Sequence, residues 1–346
     1  MTIDTSPFES RLATARDIVL ISHFNPDGDA MGSLTAIWHY LRARGKRARM
    51  ILPSPYPEHT AFLDPQEPQD RIVVCEQQPR EARRLVASAD LVICLDLNRL
   101  ARTEYLEADI LAARAQKVLI DHHISAEPDR FDLVYSTVDV SSTCELLFRI
   151  LMQLPDVGGD PARLPLPCAE SLYVGMMTDT NNFSNSVFPG TFEMASRLIA
   201  RGVDKTALQE KVLYCFSESR MRLMGHILKD RMTLVPRHNA AYMLLSNREK
   251  EEYAFRPGDS EGFVNLPLAI GSVQVSALFT ENIDGQYIRV SLRSKGNINV
   301  NRFAMRFFHG GGHHNAAGGR LYMPLEAVPA YFEQALDAWT EEEKFS

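Results

Sequence analysis

No stretch of this 346-residue chain approaches the roughly 18 consecutive apolar residues that a membrane-spanning helix needs. A membrane partner is therefore not expected. The first ten residues carry Asp4 and Glu9 and lack a basic start followed by an apolar run, so they do not read as a secretory signal. Cysteine is scarce. The five present, Cys75, Cys94, Cys144, Cys168 and Cys215, are dispersed and odd in number, and none forms a C-x-x-C pair. They read as reduced, mostly buried thiols of a cytoplasmic protein. Cys94, inside the apolar run Leu91–Leu95, reads as core rather than as a nucleophile. An excess of positive charge is also missing: 37 Lys and Arg stand against 44 Asp and Glu, a net charge of -7. That balance excludes a protein held on long duplex nucleic acid by phosphate charge alone. A nucleic-acid ligand should be short, or gripped by local patches and metals. The two tryptophans, Trp38 and Trp339, read as core or interface rather than as base-stacking groups. There is no internal repeat and no low-complexity tract.

What is present is an ordinary globular composition, 45% hydrophobic and 23% charged, with enough chain for two domains. In the first half, apolar runs at 18–23, 48–52, 71–75, 91–95 and 117–120 read as strands. Helical spacing follows at 30–44, 81–89, 104–115, 143–154 and 168–177. Continuous apolar strands alternating with helices predict an α/β fold, a mostly parallel sheet covered by helices on both faces. Residues 206–232 carry a mixed-charge helical pattern without proline and are expected to form one connecting helix. Beyond it, strands at 240–245, 273–279 and 287–292, a helix at 301–308, a glycine-rich loop and a terminal helix at 325–343 predict a smaller α/β domain.

The acidic residues of the first half fall where ligands of open parallel sheets bind. The first strand runs into His23-Phe-Asn-Pro-Asp27-Gly-Asp29, the fourth into Asp96-Leu-Asn98, and the fifth into Asp121-His122-His123. A fourth cluster is Thr178-Asp179-Thr180. Singly, each has an ordinary reading. Asp27-Gly28 is a turn, Asp29 and Asp179 are helix caps, Asp96 is a turn former, and the paired histidines face solvent. Together, His23, Asp27, Asp29, Asp96, His122 and Asp179 make four carboxylates and two imidazoles. Packed without a cation, the carboxylates would repel and force protonation. Oxygen-rich ligands with some imidazole suit Mn²⁺, or alternatively Mg²⁺, better than structural zinc. Four carboxylates suffice for two metals sharing one bridging carboxylate, an arrangement that serves in-line displacement at phosphorus.

These four motifs, in this order, resemble those of the DHH phosphoesterase superfamily. The closing segment Gly310-Gly-Gly-His313-His-Asn-Ala316-Ala-Gly318 resembles the glycine loop of the DHH-associated C-terminal domain. The resemblance spans about residues 15–340. It implies a metal-binding catalytic domain at 1–200, a linker helix at 201–232 and a substrate-binding domain at 233–346, with the active site in the inter-domain cleft. The chain has no room for the extra domain of RecJ-type exonucleases, and its glycine loop separates it from manganese pyrophosphatases. The compact form is similar to the NrnA-type enzymes, which are nanoRNases (oligoribonucleases) and phosphatases of 3'-phosphoadenosine 5'-phosphate (pAp). Some members cleave cyclic or linear dinucleotides such as pApA.

The resemblance implies His23, Asp27 and Asp96 as ligands of one Mn²⁺ and Asp29, Asp96, His122 and Asp179 as ligands of the other, with Asp96 bridging. His123 is then the catalytic group beside the scissile phosphate, and Asp121 holds a histidine in orientation. For substrate, Gly311 and Gly312 let backbone approach a phosphate, His313 can donate to it, and Arg293 at a strand end can grip it in bidentate fashion. A solvated turn is the other reading of Arg293. Ser142 or Thr143 caps a helix whose first turn holds Glu145, which leaves open a role behind the ligands. His39, His59, His226, His238, His314 and Asn315 read as structural or surface residues. The expected function is a phosphodiesterase acting on short RNA or dinucleotides. The alternatives are a pAp phosphatase, a cyclic di-AMP phosphodiesterase and, in another class, an inactive nucleotide-binding sensor. A homodimer is expected from the resemblance.

Overall fold

The computed structural model describes residues 3–339 apart from 125, 283 and 285, and the chain divides into two compact units after Cys215. The first unit opens with α1 (Ser6–Thr14), β1 (Asp17–Ile21), α2 (Gly28–Arg42), β2 (Arg47–Leu52), β3 (Val73–Val74) and α3 (Pro79–Ser88). It continues through β4 (Leu91–Leu95), α4 (Glu107–Ala112), β5 (Gln116–Asp121), β6 (Leu133–Ser136) and α5 (Thr143–Gln153). It ends with α6 (Leu166–Asp179), α7 (Pro189–Arg201) and α8 (Lys205–Leu213).

Its six strands pair in parallel in the order β3-β2-β1-β4-β5-β6. Alternate residues of a strand face opposite sides, so each apolar run feeds two cores. Leu20 and Ile93 pack with Leu34, Leu147 and Leu172 of α2, α5 and α6, whereas Val19, Ile21 and Val92 pack with Leu85 and Val86 of α3. Each such buried aliphatic side chain contributes about 1.5–3 kcal/mol. Cys94 lies in the second of these cores, where burial pushes its thiol up to about 12.

Three close approaches need glycine. A Cβ on Gly32 of α2 would lie 2.6 Å from the Ser171 carbonyl oxygen, and one on Gly175 of α6 would lie 2.2 Å from Cys144 Sγ. A Cβ on Gly28 would meet the Thr178 hydroxyl at 2.3 Å. Helices α2 and α6 therefore pack almost backbone to backbone, with the N-terminal turn of one beside the C-terminal turn of the other.

The single connecting helix expected at 206–232 is instead several pieces. Helix α8 stops at Leu213, α9 (Glu218–His226) begins after Ser217, a π-turn covers Ile227–Arg231, and Met232 already belongs to β7 (Met232–Val235). The break has a local cause: the Ser217 hydroxyl accepts from Arg220 N at 3.1 Å and so starts a new helix. The division between units falls in this break. The helix expected at 104–115 is likewise shorter, because Glu104 takes a positive φ of 51° between a 3₁₀ turn and α4.

The second unit continues with β8 (Ala240–Leu245), α10 (Asn247–Glu252), β9 (Val275–Glu281), β10 (Ile288–Ser294) and α11 (Val300–Phe307). It closes with β11 (Gly311–Gly312), β12 (Ala316–Leu321) and α12 (Val328–Ala338). The expected extension of the last helix to Glu343 lies outside the described residues. Its sheet runs β11-β12-β10-β9-β8-β7, antiparallel except for β8 beside β9. One face carries Val290, Leu292, Ala317 and Leu321 against Phe303, Phe308 and Phe332 of α11, α12 and the turn between them and β11. The glycine-rich stretch, expected as a loop, is a hairpin. The Gly310 and Gly312 Cβ positions would fall 1.8 Å from the Gly318 carbonyl oxygen and 2.5 Å from that of Ala316. Close strand return is what excludes side chains at these two positions. Gly311 alone keeps an ordinary distance, 3.4 Å to Asn301 Oδ1.

Candidate metal centre

Strand order reverses between β1 and β4, and the crevice at the carboxyl ends of the strands opens there. His23 follows β1, Asp96 follows β4, and Asp121 ends β5 with His122 and His123 just beyond. The N-terminus of α2 brings Asp27 and Asp29, and the last residue of α6 is Asp179. Asp27, not Asp29, is the helix cap: its Oδ1 accepts from the N–H groups of Asp29 and Ala30, both at 3.0 Å. Asp96 holds a left-handed φ of 60°, a conformation that Asp tolerates and that directs its carboxylate back into the crevice.

The sequence-predicted ligands converge. His23 Nε2 lies 3.4 Å from Asp96 Oδ2 and 4.0 Å from Asp27 Oδ1. His122 Nε2 lies 3.6 Å from Asp96 Oδ1, 3.6 Å from Asp179 Oδ2 and 3.9 Å from Asp29 Oδ2. His23, Asp27 and Asp96 form one group with donor atoms within 4.8 Å of one another, and Asp29, Asp96 and His122 form a second. Asp96 is common to both. Asp179 joins through His122 at the more open side of the cluster.

Asp29 is buried and held by the start of α5. Thr143 N–H donates to its Oδ2 at 2.6 Å and Cys144 N–H to its Oδ1 at 3.0 Å. Thr143 also donates its hydroxyl to Asp96 Oδ1 at 2.9 Å. The cap of α5 is Ser142, whose hydroxyl accepts from Glu145 N at 3.0 Å. Glu145 is buried behind it and collects Ser141, Thr191 and Arg149. Thr143 thus stands behind both ligand groups, and Glu145 ties the helix start to α7.

His123 is oriented from two sides. Its Nδ1–H donates to Asp121 Oδ1 at 2.8 Å, and its backbone N–H donates to the other oxygen of Asp121 at 3.0 Å. Arg102 donates from Nη1 to His123 Nε2 at 3.2 Å. Sequence reasoning missed Arg102, because its only signal is an arginine six residues beyond the strand-end Asp96. Burial works against the imidazolium of His123, but the bond to Asp121 and the charges of Asp96 and Asp121 outweigh it and raise its pKa.

The donor set fits divalent cations. The Phe24 carbonyl accepts from His23 Nδ1 at 2.8 Å, so Nε2 carries the lone pair. That Nε2 is buried without a hydrogen-bond partner and faces the carboxylates of Asp96 and Asp27. Burial, then the charges of Asp96, Asp179 and Asp27, raise the Asp29 pKa well above the carboxylate range. Asp96 is also buried, yet the three neighbouring imidazoles, His23, His123 and His122, hold it below that range. Burial lowers His122 and keeps it neutral, as a metal ligand must be. A cation between these groups removes the repulsion that otherwise protonates Asp29.

In the second unit, Arg293 on β10 lies directly across from Ala316 of β12, and Ala316 N–H in turn donates to the His313 carbonyl at 3.3 Å. Arg293, His313 and the Gly311–Gly312 strand therefore share one end of the sheet. Asn315 is structural: its Nδ2 donates to Ser294 Oγ and the Gly296 carbonyl, both at 2.9 Å.

Known proteins resemble both parts of this chain. Residues 17–176 match the DHH family, N-terminal domain, and residues 239–342 match the DHHA1 domain. The probable bifunctional oligoribonuclease and PAP phosphatase NrnA of Streptococcus mutans is 26% identical over 324 residues, which cover 91% of this chain and 93% of that protein. The cyclic-di-AMP phosphodiesterase GdpP of Geobacillus thermodenitrificans is 25% identical over 335 residues, covering 93% of this chain and 48% of its own. The crystal structure of an exopolyphosphatase-related protein from Bacteroides fragilis is 36% identical, with a TM-score of 0.88 and coverage of 96% of this chain and 95% of that one. Two domain matches in sequence order, a relative similar over nearly its whole length and acidic-imidazole clusters at the strand ends make this chain a hydrolase of the DHH phosphoesterase family.

Proposed function

We propose that this protein is a two-metal, Mn²⁺-dependent phosphodiesterase that hydrolyses short 5'-phosphorylated oligoribonucleotides and linear dinucleotides such as pApA to mononucleotides. The observation that carries this reading is the sharing of Asp96 by two ligand groups, beside a buried His23 Nε2 that has no hydrogen-bond partner. His23, Asp27 and Asp96 would hold one cation, and Asp29, Asp96, His122 and Asp179 the other. Such a pair, when bound, supplies an activated water and positive charge on the phosphate oxygens.

The chain's own residues do the rest. Asp121 fixes the His123 ring through Nδ1, so Nε2 faces the leaving oxygen and delivers a proton to it. Arg102 donates to that same Nε2. When Nε2 carries a proton the guanidinium gives up that contact and turns to the phosphate. Arg293 and His313, beside Gly311 and Gly312, hold the substrate's terminal phosphate. A grip on the terminal phosphate favours substrates that carry one. The S. mutans relative, named for oligoribonuclease and PAP phosphatase activity, supports this reading, and the GdpP relative motivates cyclic di-AMP as the competing substrate.

The test is hydrolysis of pApA beside cyclic di-AMP, pAp and a longer RNA, in Mn²⁺ and in EDTA. Metal-dependent cleavage with pApA fastest is expected. Comparable opening of cyclic di-AMP moves the role towards signalling, and turnover of none of the four overturns the substrate class.

A further inference from the structure

The peptide that joins Phe24 to Asn25 is held at both of its polar ends. Its carbonyl accepts from His23 Nδ1 at 2.8 Å, and its N–H donates to Ser54 Oγ at 2.7 Å. A trans peptide is planar, so its C=O and N–H point in opposite directions and turn together. Fixing the N–H therefore fixes the carbonyl. The preceding peptide is fixed as well, because Phe24 N–H donates to the Arg102 carbonyl at 2.8 Å. Ser54 is itself firmly placed. It is 2% exposed, and the residue before it, Pro53, accepts from Glu76 N–H at 3.2 Å, which continues the pairing of β2 with β3.

This orientation is not the one that Asn25 alone favours. Asn25 holds a φ of 54° and stands before Pro26, whose ring narrows its backbone further. Turning the peptide over would carry that φ into the ordinary negative region and swing the carbonyl away from His23. Nor is the tautomer the one that the surroundings of the ring favour. Asp96 Oδ2 lies 3.4 Å from His23 Nε2, and its charge draws a proton to that nitrogen. With the proton there, His23 has no lone pair on Nε2 to offer a cation. A strained backbone persists only where its neighbours over-determine it, and Ser54 is the side chain bonded to this peptide from outside the loop.

We infer that Ser54 is a positioning residue for His23: its hydroxyl holds the Phe24–Asn25 peptide in the orientation that keeps the proton on His23 Nδ1 and leaves Nε2 open to a divalent cation. Ser54 acts through one peptide unit, from the end of β2, a strand that carries no proposed ligand of its own. The inference rests on the proposed function only in taking a cation as what Nε2 receives.

The test reads the tautomer directly. Nitrogen NMR of the full chain, with isotopically labelled histidine, in EDTA and above the ordinary histidine pKa, separates the Nδ1–H form from the Nε2–H form. His23→Gln assigns the His23 signals by their loss. Wild-type protein should show the Nδ1–H form. In Ser54→Ala the ratio of Nε2–H to Nδ1–H should rise about tenfold or more. Asn25 is exposed. Asn25→Val, which makes a positive φ costly, should give the same change with Ser54 in place, and Asn25→Gly, which makes it free, should not. Titration calorimetry with Mn²⁺ should show one of two sites weakened about tenfold or more in Ser54→Ala and in Asn25→Val, and neither in Asn25→Gly. A Ser54→Ala protein that keeps the Nδ1–H form overturns the inference. So does an equal change in Asn25→Val and Asn25→Gly, which would assign the effect to the Asn25 side chain. So does a wild-type protein that binds Mn²⁺ no more tightly than Ser54→Ala binds it. If wild-type protein binds no Mn²⁺ while the tautomer still follows Ser54, the two-metal reading fails and the positioning role survives.

Discussion

Asp96 serves both ligand groups and accepts the Thr143 hydroxyl as well. Asp96→Asn keeps the size of the side chain but removes the charge that both groups use. Titration calorimetry with Mn²⁺ should show neither site filled at wild-type affinity, and turnover should fall by about 1,000-fold or more, since metal sites supply several kcal/mol. Wild-type turnover in that variant would overturn the shared-ligand role given to Asp96. Thr143→Val leaves the backbone grip on Asp29 in place and removes only the hydroxyl behind Asp96, so Mn²⁺ affinity should drop about 10–100-fold. Arg293→Ala should raise KM for pApA by roughly 10–150-fold with kcat much less affected, from the loss of a charge-assisted contact of about 1.5–3 kcal/mol. The proposed ligands were legible in the sequence because each stands in a local pattern at a strand end or helix end. Arg102 was not. Its bond to His123 joins the turn after β4 to the turn after β5, and no spacing within one segment announces it.

At the scale of elements, the site depends on how closely α2 and α6 approach. Gly32→Ala would place a Cβ 2.6 Å from the Ser171 carbonyl oxygen and 2.9 Å from Gly175 Cα, both backbone atoms that cannot swing away. Urea denaturation should show a loss of about 1–3 kcal/mol, and Mn²⁺ affinity should fall with it, because the same contact sets Asp29 against Asp179. The central strands could be read from sequence because two-sided burial demands continuous apolar runs, as in Leu91–Leu95. Strand β6 was missed, since Leu133 to Ser136 is a short edge strand with Leu133 and Val134 only half-buried. The connecting helix was over-read because periodicity passes through Tyr214–Ser217 without interruption, and only the capping hydroxyl of Ser217 restarts the chain. The hairpin's own need for glycine at Gly310 and Gly312 was not legible, because it comes from the close return of β12 and not from any local pattern.

At the scale of the whole molecule, the break between α8 and α9 is the natural place for a protease. Tyr214 is 74% exposed there and no helix covers the four residues from Tyr214 to Ser217. Limited chymotrypsin digestion should cut first after Tyr214 or Phe216, giving two fragments that mass spectrometry identifies; first cuts elsewhere would place the weak point in another loop. The metal centre should also act on global stability. Mn²⁺ at about 100 times its Kd should add about 2.7 kcal/mol for each independent site, seen as a higher Tm that EDTA reverses, and an unshifted Tm would argue against a metal held by the folded state. The order of the first sheet has one more consequence. Every strand that ends in a proposed ligand lies inside the sheet, while β3 and β6 close its two edges and carry none. A parallel sheet grows or shrinks only at its margins. Lineages can therefore trim, lengthen or append edge strands, and attach new partners there, while β1 and β4 keep both neighbours and the reaction is inherited intact.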